Sequence, residues 1–130
     1  MTLPPRIDAI AVASTDLRKT AAFYELIGFT FADFADDAMH LEPETAPGDV
    51  RLMIDTFALM EKLIGAPPRP SNHSSFALLC ADAAQLNTIA QRITDAGHAL
   101  VKEPWDAFWG QRYAVLADPD GYRVDLFAPL

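Results

Sequence analysis

Two aspartates, Asp55 and Asp125, have similar neighbours in the sequence. Each follows an arginine and apolar residues, Arg51 in the first half of the chain and Arg123 in the second. If both carboxyl groups face one cavity, they could act as a general acid and a general base, since such catalysis needs two positioned proton carriers. The alternative is that they bond to nearby backbone or pair with Arg51 and Arg123. The sequence leaves both interpretations open.

A second group of candidate residues is aromatic. The segment Pro104–Gly110 places three large rings, those of Trp105, Phe108 and Trp109, within seven residues. Tryptophan offers a flat apolar surface with a polar tip, which suits an aromatic or cationic ligand. We predict that the segment is a loop before a terminal hairpin, with Arg112 close enough to supply a polar contact. The alternative is that one tryptophan lies in the core and the other closes a sheet edge.

Cysteine and histidine, the other residue types that commonly act in catalysis or metal binding, are few and lie far apart in the sequence. Cys80 is the only cysteine, which excludes an internal disulfide, and its apolar neighbours predict an inert buried thiol. The three histidines are His40 in a predicted strand, His73 in a proline-rich segment and His98 just after a predicted helix. There is no glycine-rich phosphate loop and no GxSxG motif. No catalytic residue can be assigned from the sequence alone.

Composition limits the class of partner. The 130 residues, 51% of them hydrophobic, are enough for one domain with a real core. A net charge of −8 argues against nucleic acid, which requires a basic surface. No apolar run reaches the roughly 20 residues of a membrane span, and the first residues lack the apolar core of a signal peptide. We therefore expect a cytoplasmic protein whose partner is a small molecule, not nucleic acid or a membrane.

The order of the predicted elements is repeated. Asp16 and Asp82 each follow a strand and begin a helix, while Gly28 and Gly97 each follow one. Asp118-Pro119-Asp120-Gly121 has the composition of a tight turn between two strands. The pattern predicts two β-α-β-β-β modules in one domain, residues 1–65 and 74–130, joined by a proline-rich connector at 65–73. Predicted strands are 7–14, 29–32, 38–41, 50–55, 75–80, 98–101 and the two strands of the terminal hairpin, and a short helix is predicted at 56–64.

Two motifs of the chain resemble those of the vicinal oxygen chelate superfamily, which includes glyoxalase I, bleomycin resistance proteins and extradiol dioxygenases. The first is Thr15-Asp16-Leu17 followed by Phe23-Tyr24 and Gly28-Phe29, and the second is Asp118-Pro119-Asp120-Gly121-Tyr122-Arg123-Val124-Asp125-Leu126. The resemblance covers nearly the whole chain. It implies an α+β fold in which two paired βαβββ modules form curved sheets around a cleft, and it implies a homodimer.

The resemblance also implies where a metal would be held. The places where metal-dependent members carry histidine or glutamate align here with Ala9, Asp55, Ser75 and Asp125. Alanine has no donor atom and serine ligates weakly, so two aspartates remain, which suit a hard, weakly held cation at best. A shifted register of the fifth strand could instead bring His73 beside Asp55 and Asp125, with His40 joining from the first module.

These observations lead to one expected function, one alternative enzyme, and a third interpretation in which the fold serves mainly as a dimer interface or regulatory module without a small ligand. We expect a metal-independent, cofactor-free binding protein, closest in character to bleomycin resistance proteins. It would sequester an apolar or aromatic ligand, cationic ones included. The ligand-binding residues we predict are Trp105, Phe108, Trp109, Arg112, Asp125 and Asp55. The alternative is a divalent-metal-dependent lyase or dioxygenase of the same superfamily, using Asp55, Asp125 and a displaced His73 or His40.

Overall fold

A computed structural model describes residues 3–69 and 75–130 of the chain. The described residues form seven strands and three helices, in the order β1 (Ala9–Ser14), α1 (Leu17–Ile27), β2 (His40–Leu41), β3 (Arg51–Thr56), α2 (Phe57–Ile64), β4 (Phe76–Leu79), α3 (Ala83–Asp95), β5 (Leu100–Ala107), β6 (Gln111–Ala117) and β7 (Arg123–Pro129).

The strands make two sheets, each drawn from one half of the chain. Sheet A has the order β1-β3-β2, in which β1 and β3 are parallel and β2 is antiparallel to β3. Sheet B has the order β4-β7-β6-β5, in which β4 is parallel to β7 and the other neighbours are antiparallel. The predicted α+β fold class is confirmed.

The helix boundaries follow from local capping chemistry. The Asp16 carboxylate accepts from the backbone N–H groups of Arg18 and Lys19, and α1 ends at Gly28 with a φ of 127°. The Asp82 carboxylate caps α3 in the same way, by accepting from the N–H of Gln85. Side-chain acceptors satisfy the free N–H groups of a first turn, and glycine adopts positive φ at low cost. Both predicted helix starts are confirmed.

The apolar core lies on the helix-facing side of both sheets. Alternate residues of each strand point inward, since side chains of a strand alternate between its two faces. On β3 the inward residues are Leu52 and Ile54, and on β7 they are Val124, Leu126 and Ala128. The core joins these strands to residues of α1 and α3, so the two halves share it. No helix in the described parts of the chain is long and apolar enough to cross a membrane.

The terminal turn also connects the two halves. The Asp118 carboxylate accepts from the backbone N–H groups of Asp120 and Tyr122, and Gly121 has a φ of 90°. The same carboxylate accepts a 3.0 Å hydrogen bond from the hydroxyl of Tyr24 on α1. Asp120 accepts from the backbone and the hydroxyl of Thr15, just before α1. The predicted turn therefore exists and anchors the β6–β7 hairpin to the start and middle of α1.

Two predicted elements are wrong. Residues 29–32 do not form a strand, although the carbonyl of Thr30 accepts a 2.8 Å bond from the N–H of Glu44. The aromatic segment is not a loop, because β5 runs on to Ala107 and only the following three residues form the turn. Pro104 is tolerated there because β5 is an edge strand, and shifts of register on both sides of Lys102 absorb the irregularity.

Candidate functional site

One face of sheet B carries a row of large side chains that the core does not use. Residues directly paired across a sheet point to the same face. Leu79 pairs with Phe127, Phe127 with Tyr113, and Tyr113 with Trp105, so these four residues form a row across all four strands. We call this the aromatic face. It is opposite the face that packs on α3, where Ala114, Leu116, Val124 and Leu126 are buried.

Trp109 is the centre of the ring cluster on this face. Its ring centroid lies 5.5 Å from that of Trp105, 5.0 Å from that of Phe108 and 5.4 Å from that of Tyr113, each in an edge-to-face arrangement. This geometry is the favoured one for aromatic pairs. Trp109 is nevertheless 47% exposed and Phe108 is 92% exposed. The cluster is therefore fixed by its own contacts while offering ring surface to solvent.

Two polar features border the cluster. The indole Nε1 of Trp109 donates to Gln111 Oε1 at 2.9 Å, whereas the buried Nε1 of Trp105 has no hydrogen-bond partner within residues 3–69 and 75–130. The ammonium of Lys102 lies 5.0 Å from the centroid of the Trp105 ring, within cation–π range. A buried N–H group without an acceptor costs free energy.

Asp125 meets the cluster through Tyr113. The hydroxyl of Tyr113 donates to Asp125 Oδ2 at 2.7 Å, and the hydroxyl of Ser75 donates to the same oxygen at 3.3 Å. Burial, and then the hydrogen bond to Asp125, raise the pKa of Tyr113 to about 12. The phenol therefore stays protonated at neutral pH and continues to donate.

Arg112 lies on the other face of the sheet from Tyr113. Its guanidinium donates to Asn87 of α3 at 3.0 Å and to Asp106 at 3.0 Å. Four of the six predicted ligand-binding residues, Trp105, Phe108, Trp109 and Asp125, are thus brought together with Tyr113. Arg112 is held on the helix side, and Asp55 belongs to the other sheet.

Asp55 lies at the end of a network of charged side chains on sheet A. It is only 6% exposed, and its Oδ1 is 2.5 Å from His40 Nδ1 on the neighbouring strand β2. The other ring nitrogen of His40 is 2.8 Å from a carboxylate oxygen of Glu42. Arg51 in turn contacts Glu42 at 2.6 Å and Asp8 at 2.9 Å. Arg51 therefore pairs with Asp8 and Glu42 and leaves Asp55 to His40.

The two carboxylates around His40 favour its charged form. The hydrogen bonds to Asp55 and then to Glu42 raise the pKa of His40, and the hydrogen bond from His40 lowers the pKa of Glu42. A carboxylate beside each ring nitrogen favours the protonated imidazole over the neutral one. His40 thus offsets the charge of buried Asp55.

The donors of the described residues do not fit a resident transition metal. Among residues 3–69 and 75–130, no group of three or more His, Cys, Asp or Glu side chains is arranged to hold an ion. Of the four positions implied by the family, Ala9 has no donor, Asp55 is bonded to His40, and Asp125 is bonded to Tyr113 and Ser75. His73 lies outside the described residues, so its displacement toward Asp55 and Asp125 stays a prediction.

Three residues of this site, Tyr113, Phe127 and Leu79, are not among the ligand-binding residues predicted from the sequence. The available signal was the alternation along β6 and β7: small or aliphatic Ala114, Leu116 and Leu126 point inward, so their neighbours must point to the opposite face.

Comparison with known proteins gives one family for the whole chain. Residues 6–126 match the model of the glyoxalase/bleomycin resistance protein/dioxygenase superfamily. Because the match spans most of the sequence, the chain belongs to this superfamily. No curated protein matches it in sequence.

Solved structures from the same superfamily share the fold. A glyoxalase-related enzyme from Fulvimarina pelagi aligns with a TM-score of 0.80 at 18% identity, over 95% of this chain and 87% of that one. A glyoxalase/bleomycin resistance protein/dioxygenase from Nocardioides aligns with a TM-score of 0.74 at 21% identity, over 100% and 87%. A lactoylglutathione lyase from Agrobacterium tumefaciens aligns with a TM-score of 0.69 at 14% identity, over 98% and 96%. At such identities the likeness extends to the fold, and the function must come from the site.

Proposed function

We propose that this protein is a metal-independent small-molecule binding protein that holds an apolar or aromatic ligand, including a cationic one, on the aromatic face. The observation that carries the proposal is the half-exposed Trp109, which contacts three other rings and still presents ring surface to solvent. Exposed apolar surface of this kind marks interaction sites, ligand-binding grooves among them. Binding of this kind requires affinity and no chemistry.

Polar groups at the edge of the cluster suit an oriented ligand. The Asp125 carboxylate, held by Tyr113, is an acceptor with a negative charge. The Lys102 ammonium against the Trp105 ring supports the view that this ring surface can face a cation. Apolar contact would supply most of the affinity, and these groups would set the orientation.

A homodimer is part of the proposal. Leu79, Phe108 and Trp109 leave apolar surface uncovered on sheet B of a single chain. A second copy laid against this face would convert an open surface into a cleft. We also propose that the protein acts in the cytoplasm as a sequestering or resistance factor.

A dye panel tests the proposal. The probes are acridine orange as an aromatic cation, anilinonaphthalene sulfonate as an aromatic anion and phenol as a small neutral ring, each titrated calorimetrically. We expect at least one aromatic probe to bind with an affinity that Trp109→Ala weakens about tenfold or more. Leu63→Ala, which removes an exposed side chain from α2, is the matched control and should leave the affinity unchanged. Equal affinity of wild type and Trp109→Ala for every probe would remove the aromatic face from the account.

The alternative function is a metal-dependent lyase or dioxygenase of the superfamily. One contact favours it, because His40 and Asp55 place an imidazole beside a carboxylate. It requires His40 to release Glu42 and requires a further donor, for which His73 is the candidate. Elemental analysis of protein purified without chelators decides between the two functions. Near one equivalent of metal, lost in His73→Ala, would support the alternative, and less than about a tenth of an equivalent would support metal-independent binding.

A further inference from the structure

A second cavity lies between the edge of sheet A and the edge of sheet B, and of the four residues that define the aromatic face it is lined by Leu79. It has a volume of about 530 Å³. Ile10 of β1 and Leu52 of β3 line one side, and Phe76 and Leu78 of β4 line the other. We call this the inter-sheet groove. Its volume is in the range of pockets that hold small organic ligands.

Part of the groove wall is continuous with the apolar core. Ile10, Phe76 and Leu78 are partly buried against the apolar core, and Leu52 is within it. None of the ring residues of the aromatic face, such as Trp105, Trp109 or Tyr113, lines the groove. A ligand here would therefore occupy a different site from the one proposed above.

The charge at the groove is negative. Glu44 and Asp49 line it, and no Lys, Arg or His is among its lining residues within the described chain. Neither carboxylate forms an ion pair within residues 3–69 and 75–130. The backbone N–H of Glu44 donates to the carbonyl of Thr30 at 2.8 Å, which fixes the loop that carries the carboxylate.

Of these two carboxylates, Asp49 is shared with a neighbouring cavity and Glu44 is not. Asp49 also lines a smaller neighbouring cavity of about 300 Å³, together with Arg6 and Arg51. The guanidinium of Arg51 is engaged by Asp8 and Glu42, and Arg6 lines only the neighbouring cavity. An apolar wall beside an uncompensated carboxylate is complementary to a molecule with an apolar body and one positive charge.

We propose that the inter-sheet groove is a binding site for a small amphipathic cation, such as an aryl-alkyl amine. The apolar body would lie against Ile10, Leu52, Phe76 and Leu78, and the ammonium would lie at Glu44. No bond is made or broken at this site. It would give the chain a second ligand position that involves none of the rings of Trp105, Trp109 and Tyr113.

The test compares two probes of the same shape and different charge. Isotope-labelled protein is titrated with 4-phenylbutylammonium or with the neutral 4-phenylbutanol, and backbone amide shifts are followed. We expect saturable shifts at Ile10 and at residues 76–79, with the cation binding about twofold to fivefold more tightly, the range typical of one exposed ion pair. Glu44→Gln should remove that preference, and Glu61→Gln on α2, outside the groove, should preserve it.

Further variants separate this site from the other one. Ala46→Trp, at an exposed position of the groove wall, should block the shifts, while Trp109→Ala should leave them in place. Shifts confined to the indole groups of Trp105 and Trp109 would overturn the proposal. Equal affinity for the two probes would also overturn it. Shifts of the groove amides on dilution without probe would show that a second copy of the chain covers the groove, which would contradict a free ligand site.

Discussion

The hydroxyl of Tyr113 donates to Asp125 Oδ2 at 2.7 Å, and this bond joins the ring cluster to a carboxylate on the neighbouring strand. Tyr113 lies on β6 and Asp125 on β7, so two strands of the terminal hairpin supply the two partners. Because Tyr113 also contacts Trp109, the bond fixes both the carboxylate and the central ring of the cluster. The aromatic face is thereby a preformed surface, and a ligand need not order it.

The first prediction concerns this bond. Tyr113→Phe removes the donor and leaves Asp125 with Ser75, so we expect the free energy of unfolding to fall by about 1 kcal/mol. Urea unfolding at neutral pH measures the change. Asp125→Asn keeps the shape and an acceptor and should cost less. An unchanged midpoint in Tyr113→Phe would show that the bond does not fix the face.

The second prediction concerns the bond between α1 and the terminal turn. Tyr24 donates to Asp118, a carboxyl group that is buried and whose pKa is raised chiefly by that burial. Tyr24→Phe leaves the buried carboxyl oxygen without this donor and should lower the free energy of unfolding by about 1–3 kcal/mol. Tyr122→Phe is the matched control, since its hydroxyl makes no hydrogen bond within residues 3–69 and 75–130. Equal losses in the two variants would contradict the importance of the Tyr24 contact.

The third prediction is a pH dependence of stability. The pKa of His40 is raised in the folded chain by Asp55 and Glu42, so His40 binds its proton more tightly when folded. The resulting stabilisation is fully present below the unfolded pKa of about 6.5 and is lost as the pH rises through the folded value. The difference in unfolding free energy between wild type and His40→Gln should therefore shrink between pH 6 and the alkaline range. A difference that grows with pH would contradict the assigned cationic state.

The fourth prediction concerns Glu42 and has the opposite sign. The pKa of Glu42 is lowered chiefly by the hydrogen bond from His40, so its contribution to stability is present above the unfolded pKa and is lost as the pH falls through the folded value. Glu42→Gln should bring wild type and variant together at acid pH and separate them near neutrality. Carboxyl titration by NMR provides an independent check, because the side-chain signal of Glu42 should titrate with a midpoint below the ordinary pKa of a glutamate.

Local features of the sequence predicted much of this fold. The caps at Asp16 and Asp82 and the turn at 118–121 depend on bonds between residues a few positions apart, which composition and spacing reveal. Residues 29–32 have strand-like composition but no strand partner, and a strand exists only when another strand pairs with it.

The site was harder to predict because its geometry depends on strand pairing. The three rings of Pro104–Gly110 were visible in the sequence. The placement of Trp105 on an edge strand, with Phe108 and Trp109 in the turn that follows, was not, since Pro104 is typical of a loop. The opposite orientations of Arg112 and Tyr113 follow from strand alternation once the bounds of β6 are known. Arg51, four positions before Asp55 in the sequence, was the natural candidate for its partner. The actual partner is His40, which contacts Asp55 from the neighbouring strand.

The most direct test of metal-independent binding on the aromatic face is a calorimetric titration with the dye that binds most tightly in the panel above. The titration is done on chelator-treated protein and on the same protein supplied with Zn²⁺, Mn²⁺ or Fe²⁺, each compared with Trp109→Ala. We predict the same affinity with and without metal, and about a tenfold or greater loss in Trp109→Ala under every condition. Binding that appears only when metal is supplied, or that is indifferent to Trp109, would contradict the account.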